Sequence, residues 1–582
     1  MQKIKKIKLI RNSRLLKFIL FYKKQIFLLF IFNLISSSFL LVAPYFSKLF
    51  FDQAFANRDM HQFLNISLAG GVIFVLSTLV TVGSDIIKNK TSVKLNLNLA
   101  DKFIRKLYLL ELNFFQLRSV GENIYRLSDT ENISRFLVDE CPRILSDLFK
   151  LVIILAIAFW INLEMTVLLI ILSPLFLIHR LYLQRKLKSI YENIWKFSAL
   201  IYKELYEAFS RILIIKAFGL ESHQRRAYLR TLLKNIRLRL RSFRWGIISS
   251  LSSSFLSKAV FGVITLYGGW LIIKGRLTLG SYTAVMLYLT QLGGILESLG
   301  FRFEYFSQET VSLEKFFEII ELEPQIRDLP GARNLEIFKG EVRFRDVWFG
   351  YREDKPVLKG INLYIPTCSW VGIVGPSGCG KTTLVNLILR LYDPWQGEII
   401  LDTLDLRQIK LNSLREKIAI AAQQPLLFDR SIKENIGYGL KGIPQERIES
   451  AARLAFVHDF ILQLPQGYNT LIGEDACRLS EGMKQRISIA RAIIRNPQLL
   501  ILDEATSSVD LLTEEKIFNH LRKTRKEKTT IVISHRLFSV KDADKIYFLR
   551  QDGKIEEGRH EELLSISALY RDFFQNQEDE LL

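Results

Sequence analysis

Eight consecutive residues, Gly375-Pro376-Ser377-Gly378-Cys379-Gly380-Lys381-Thr382, have the types and spacing to hold phosphate. Glycines let successive backbone N–H groups wrap an anion, and the pattern G-x-x-x-x-G-K-[ST] sets them at a helix N-terminus, where the dipole favours negative charge. In this reading Lys381 brings charge to the β- and γ-phosphates, the Thr382 hydroxyl is placed for Mg²⁺, and Thr383 stands beside them. The pattern alone has false matches. Here it follows an apolar run, 370–374, and precedes a helix predicted to open at about Lys381, which is the context a nucleotide site needs.

A second constellation lies about 120 residues further on, at Leu499-Leu-Ile-Leu-Asp503-Glu504. Four apolar residues predict a buried strand ending in paired acids. Asp503 can hold Mg²⁺ through water and Glu504 can polarise an attacking water, because phosphoryl transfer depends on positioning and charge control. Paired acids at a strand end are common; the spacing from the phosphate loop is what gives these two a role. Another strand, 529–534, ends at His535, within reach of a γ-phosphate. The thiol of Cys379 lies in the phosphate loop beside Lys381 and a helix N-terminus. Its pKa is therefore expected to fall, and maleimide to inhibit turnover unless ATP·Mg²⁺ protects. The four cysteines (Cys141, Cys368, Cys379 and Cys477) form no C-x-x-C pair and no metal spacing, which fits isolated thiols facing a reducing cytosol.

The elements that position these residues alternate between strand and helix after Val342, which predicts an α/β domain over 340–582. Pro324, Pro330 and Gly331 mark a linker over 311–339. Before it the chain changes character. Hydrophobic residues make up 49% and charged residues 24% of the whole, and the apolar ones concentrate early. Six runs, 24–50, 64–88, 143–161, 165–184, 245–273 and 279–300, are long and apolar enough to cross a bilayer. The alternative is a set of buried core helices. Residues 23–310 thus read as a helical membrane domain and 1–22 as a basic amphipathic helix along the interface.

The basic N-terminus and the basic connections 89–142 and 185–243 place both termini in the cytoplasm, in a multi-pass cell-membrane protein. The net charge of +21 fits a membrane surface as well as nucleic acid. The run through Arg237, Arg239, Arg241 and Arg244 is read as a solvated helix face near anionic headgroups, so no nucleic-acid partner is expected. Within the fifth span Lys258 stands at a depth similar to that of Glu297 in the sixth. It pairs with Glu297, snorkels to the interface, or binds an anionic group of a substrate.

Residues 340–575 resemble the nucleotide-binding domain of ATP-binding cassette transporters, and 1–320 the membrane domain of that family's exporter half-transporters. The resemblance implies a six-span α-helical membrane domain joined to an α/β P-loop cassette that binds ATP and Mg²⁺. It implies that Tyr351 stacks on adenine, that Gln423 senses Mg²⁺, and that His535 is the switch histidine. Leu479-Ser480-Glu481-Gly482-Met483-Lys484-Gln485-Arg486 matches the signature segment, with Ser480 and Gly482 contacting a partner's γ-phosphate, and Ser507–Asp510 crosses the dimer interface. It places coupling helices near 129–133 and 217–222. The signature departs from LSGGQ at Glu481 and Met483, which leaves two readings, a working homodimer and an asymmetric heterodimer with one weakened site. The implied activity is ATP-driven export of a lipid-like, peptide or hydrophobic drug substrate. An ATP-gated channel or regulator is the alternative from another class.

Overall fold

The structure, a computed structural model, describes residues 23–352, 354–473 and 479–579, without the side chains of 172–188 and of scattered positions such as Glu297. The interfacial helix expected over 1–22 and Cys477 lie outside the described residues. Two compact units divide the chain: Met1–Leu110 with Phe114–Glu323, and Pro324–Leu582 with Glu111–Asn113.

The described part of the first unit is almost wholly helical. α1 (Lys23–Leu49) passes through a π-helical turn, Phe50–Phe55, to α2 (Met60–Leu109). Then come α3 (Val120–Arg135), α4 (Cys141–Ile161), α5 (Leu163–Ser210), α6 (Glu221–Ile273) and α7 (Leu279–Ile320). Side-chain caps start four of them: Asp59 accepts from His61 and Gln62 N–H, Ser119 from Glu122, Asn162 from Met165 and Thr278 from Ser281. α2 and α6 hold 50 and 53 residues, so at ~1.5 Å per residue they are more than twice as long as a hydrocarbon core of about 30 Å is thick. The basic segments flanking the spans thus continue as helix, which Lys, Arg and Leu favour.

Among the described residues five helices are long and apolar enough to cross a membrane. The fourth expected span falls in α5, across the side chains that are not described. Along the apolar part of α2 no residue is buried, and Phe74 is 70% exposed. Water does not tolerate an apolar strip of that length, so these are not core helices; their solvent is a bilayer.

The first long connection reverses between Leu110 and Ser119 around a short helix, Leu112–Leu117. The expected position of the first coupling helix, 129–133, therefore lies inside α3 and not at a turn. Asp129 is buried there and accepts from Trp195 Nε1 at 2.9 Å. The sequence signal for the real turn is Ser119-Val-Gly-Glu122, in which the Ser119 hydroxyl accepts from Glu122 N–H. The second expected position, 217–222, does fall on a reversal, between the short helix Ile212–Ala217 and α6.

The second unit contains two main sheets. β1 (Val342–Phe349), β2 (Leu358–Ile365), β4 (Gln396–Leu401) and β5 (Leu404–Asp405) form an antiparallel sheet ordered β2-β1-β4-β5. β3 (Trp370–Val374), β6 (Ile418–Ala421), β9 (Leu499–Asp503), β10 (Thr529–Ile533), β11 (Lys545–Leu549) and β12 (Ile555–Gly558) form the other, ordered β12-β11-β3-β10-β9-β6. It is parallel except at β12. A short ladder joins β7 (Arg430–Ser431) to β8 (Leu471–Ile472). β3, β9 and β10 are buried at every residue, as uninterrupted apolar runs covered on both faces should be. Register then sets the site. Ile533 lies opposite both Ile373 and Asp503, and Ala421 opposite Leu502. The loops carrying Gly375, Gln423, Glu504 and His535 therefore leave the C-terminal edge of neighbouring strands within two residues of one level, where open α/β sheets bind ligands.

Candidate functional site

The phosphate loop joins β3 to α8 (Lys381–Ile388). Gly375, Gly378 and Gly380 all have positive φ, at +151°, +81° and +108°. A Cβ on Gly375 would also lie 2.3 Å from Leu549 O, so glycine is required for both conformation and space. The loop leaves Ser377, Gly378 and Thr382 exposed, Pro376 half-buried, and Cys379, Gly380, Lys381 and Thr383 buried. Lys381 Nζ donates to Gly375 O at 2.8 Å and Pro376 O at 3.0 Å, and burial pushes its ammonium below the ordinary lysine value. Tyr351 packs edge-on to Phe349 and Tyr392. Its hydroxyl lies 3.2 Å from Thr383 Oγ1 and accepts from Asn386 at 3.1 Å, which fixes a ring that is 40% exposed.

Next to the loop, Glu504 receives two donors. Gln423 Nε2 is 2.6 Å from one carboxylate oxygen and His535 Nε2 is 2.8 Å from the other. A carboxylate only accepts, so the amide NH₂ and the imidazole N–H must face it. Burial, then the nearby Lys381, hold the His535 pKa below the usual histidine value, which leaves a neutral ring donating from Nε2. Glu504 has φ +47°, an uncommon conformation for a residue with a side chain. Its N–H, bonded to Ile533 O at 2.9 Å, holds it there. Asp503 is buried and accepts from Thr382, and burial with the adjacent Glu504 raises its pKa to about 6. A buried carboxylate short of positive charge beside a hydroxyl suits a hard cation. Among the described residues no three His, Cys, Asp or Glu side chains are placed to hold a metal ion by themselves; an ion here would be held by few protein oxygens together with the nucleotide's phosphates.

Cys379 corrects an expectation. It is 6% exposed and burial raises its thiol pKa, outweighing Lys381 and the loop N–H groups. Maleimide should therefore label exposed Cys368 in the folded protein and reach Cys379 only on unfolding, with or without ATP·Mg²⁺. Mass spectrometry of the adducts checks this, and rapid ATP-protected labelling of Cys379 would restore the reactive thiol.

The signature helix α9 (Glu481–Ile493) is capped by Ser480, whose hydroxyl accepts from Met483 N–H. Gly482 is needed sterically, because a Cβ there would lie 2.7 Å from Ser508 O. Glu481 pairs with Lys484 at 2.7 Å and is largely exposed, so its charge is locally offset. The structure brings Lys381, Thr382, Gln423, Asp503, Glu504 and His535 together. Among the described residues no hydrogen bond joins Ser480 or Gly482 to that group, and Ser480 is open to solvent. Lys258 belongs to the other unit, on an exposed position of α6.

Two residues carry this arrangement beyond those given a role from sequence, one inside the signature segment and one outside any motif. Gln485, buried on α9, accepts from Ser508 N–H at 2.8 Å and donates to Ser507 Oγ at 2.9 Å. Glu514, fully buried on α10 (Leu511–Thr524), accepts from Thr506, Ser539 and Arg536 at 2.9, 2.6 and 2.7 Å. Arg536 also donates to Ser507 O at 2.7 Å. Glu514 thus ties the segment after Glu504 to the segment after His535.

Comparison with known proteins bears on the family. The ABC transporter family profile matches residues 358–507 and the ABC transporter transmembrane region matches 26–296. The chain is 33% identical over 545 residues to the ATP-dependent lipid A-core flippase of Syntrophus aciditrophicus, covering 94% of this chain and 90% of that one. It is 31% identical to the leukotoxin export ATP-binding protein of Aggregatibacter actinomycetemcomitans, over 92% of this chain and 76% of the relative. A bacterial Atm1-family ABC exporter solved with ATP bound superposes with a TM-score of 0.88 at 28% identity, covering 96% of this chain and 98% of the other. A membrane region and an ATP-binding domain in one polypeptide, with relatives of this kind over nearly its whole length, make this chain a member of the ABC transporter family, an ATP-hydrolysing multi-pass membrane exporter.

Proposed function

We propose that two copies of this chain pair and use ATP to move a lipid-like amphiphile with an acidic or phosphate-bearing group outward from the cytoplasmic leaflet. In this proposal 23–310 spans the membrane, 311–339 links, 340–582 binds nucleotide and both termini are cytoplasmic. The observation that carries pumping over gating is the Gln423–Glu504–His535 arrangement, since a gate needs only nucleotide binding whereas a pump needs turnover. Glu504 acts as base, His535 and Gln423 hold it, and Lys381 with the loop N–H groups binds phosphate. Thr382, Asp503 and Gln423 are the residues to hold Mg²⁺, which would neutralise phosphate charge. Exposure of the Ser480 end of α9 leaves it available to a second copy, and the Glu481–Lys484 pair favours two working sites over a weakened one.

Lys258 supports the choice of cargo. Among the described residues no carboxylate pairs with it; the side chain of Glu297 lies outside them. A charge in a span belongs in the bundle or a wet path. In nanodiscs, with a panel of acidic and neutral lipids, Lys258→Ala should lose the acidic-lipid stimulation of ATPase and keep the unstimulated rate. Equal loss of unstimulated rate and thermal stability indicates a structural pair instead, and full retention of stimulation rejects the cargo role. Movement of a fluorescent acidic lipid across proteoliposomes, absent without ATP, separates the pump from a channel.

A further inference from the structure

At one end of the first two spans the membrane unit carries a pocket of about 280 Å³. Its floor is apolar, with Ile26 and Leu29 of α1 and Leu95 of α2, while its rim carries Lys90, Lys94 and Asn98 of α2. Residues four apart on a helix share a face, so the two lysines stand one turn apart over the same opening. Like charges in that relation repel. Two other cations of α2 have partners: Lys88 pairs with Asp85 at 3.0 Å and Arg105 with Asp101 at 2.9 Å. Among the described residues Lys90 and Lys94 have no carboxylate partner.

Their depth follows from the helices. α1 and α2 run antiparallel, with Ser36 Oγ 2.6 Å from Thr81 Oγ1; ten residues further along each, Ile26 reaches the level of Thr91. Ile87 is the last apolar residue of the second span. Lys90 and Lys94 then lie about 5 and 11 Å beyond it along the axis, which is the headgroup layer outside a core of about 30 Å. Lys23 and Lys24 at the start of α1 add charge at the same level.

We propose that this pocket binds the phosphate-bearing headgroup of an anionic phospholipid, held by Lys90 and Lys94, with its chains lying against Ile26 and Leu29 and on into the bilayer. Paired cations above an apolar floor at headgroup level match an amphiphile better than a soluble ion, and basic pockets between spans are suited to such headgroups. The proposal rests on α1 and α2 crossing the membrane. It does not rest on Lys258 or on turnover, because the lipid here is retained and not transported.

The test is native mass spectrometry of the full-length protein released from nanodiscs of mixed phosphatidylcholine and phosphatidylglycerol. The parent protein should keep phosphatidylglycerol in preference to phosphatidylcholine. Lys90→Ala with Lys94→Ala should lose about fivefold per lysine, on the order of thirtyfold together. Lys90→Arg with Lys94→Arg should retain the preference, as should Lys106→Ala, a cation of the same helix outside the pocket. An unchanged preference in the double alanine protein overturns the proposal. Release of the lipid by inorganic phosphate as readily as by added phosphatidylglycerol also overturns it, and assigns the lysines to a soluble anion. Because the readout counts lipids, its failure leaves the transport reading standing, and a failed Lys258 result leaves this one standing.

Discussion

Glu504→Gln is expected to lower ATP turnover about a hundredfold or more while ATP still binds. A positioned general base contributes on the order of 10²–10⁴ in rate, and Gln cannot take a proton from water. The surroundings tolerate the change. Both Glu504 oxygens now accept, one from Gln423 and one from His535. In the variant the amide oxygen can face His535 and the new NH₂ can face a Gln423 side chain turned by half a rotation. No buried donor loses its acceptor, so folding should be kept and the loss should appear in kcat. The phosphate loop is untouched, and KM for ATP should change little. Turnover in detergent or nanodiscs with a direct nucleotide-binding assay measures both. A turnover near that of the parent removes Glu504 as the base.

What could be read in advance divides along a physical line. The phosphate loop, the Asp503–Glu504 strand end and the apolar runs are local patterns, and each depends on residues close in sequence. The loop was legible because glycines at fixed offsets impose backbone conformations that nothing else adopts there. The spans were legible as length and composition, but not where their helices end. Lys- and Arg-rich extensions carry no apolar run, and α2 continues to Leu109 simply because its residues are good helix formers. Cys379 misled because the sequence shows Lys381 and a helix start but not the packing that buries the thiol, and burial is the larger influence. The ion pairs of Asp147 inside the membrane unit had no local signal for the same reason. Asp147 in α4 has Lys150 at 3.0 Å and Arg302 at 3.3 Å, and Arg302 lies 155 positions away.

Glu514 is the furthest case of this kind, and it gives the largest expected effect on stability. In sequence it is one acid among 59. In the fold it is fully buried and accepts three hydrogen bonds from two segments. Removing the carboxylate leaves Arg536 without its counter-ion and the buried Thr506 and Ser539 hydroxyls without an acceptor. Breaking one side of a fully buried pair costs about 3–5 kcal/mol; Arg536 is 39% exposed, so water takes up part of that loss, and Glu514→Ala should fall at or below the low end of that range and lower the melting temperature by several degrees. Glu514→Gln is the sharper probe. It keeps volume and one acceptor oxygen, so the destabilisation should be about 1–3 kcal/mol. It also weakens the tie between the segment following Glu504 and the segment following His535, without touching Lys381 or Tyr351. Its turnover should therefore fall with KM for ATP near the parent value, and Glu514→Asp should recover less than a simple charge effect predicts, because the shorter side chain cannot reach all three donors. A purely structural carboxylate would lower stability in the Gln variant and leave kcat per folded molecule unchanged. That split, measured on protein held well below its melting temperature, decides whether Glu514 positions the catalytic pair or only holds the domain together.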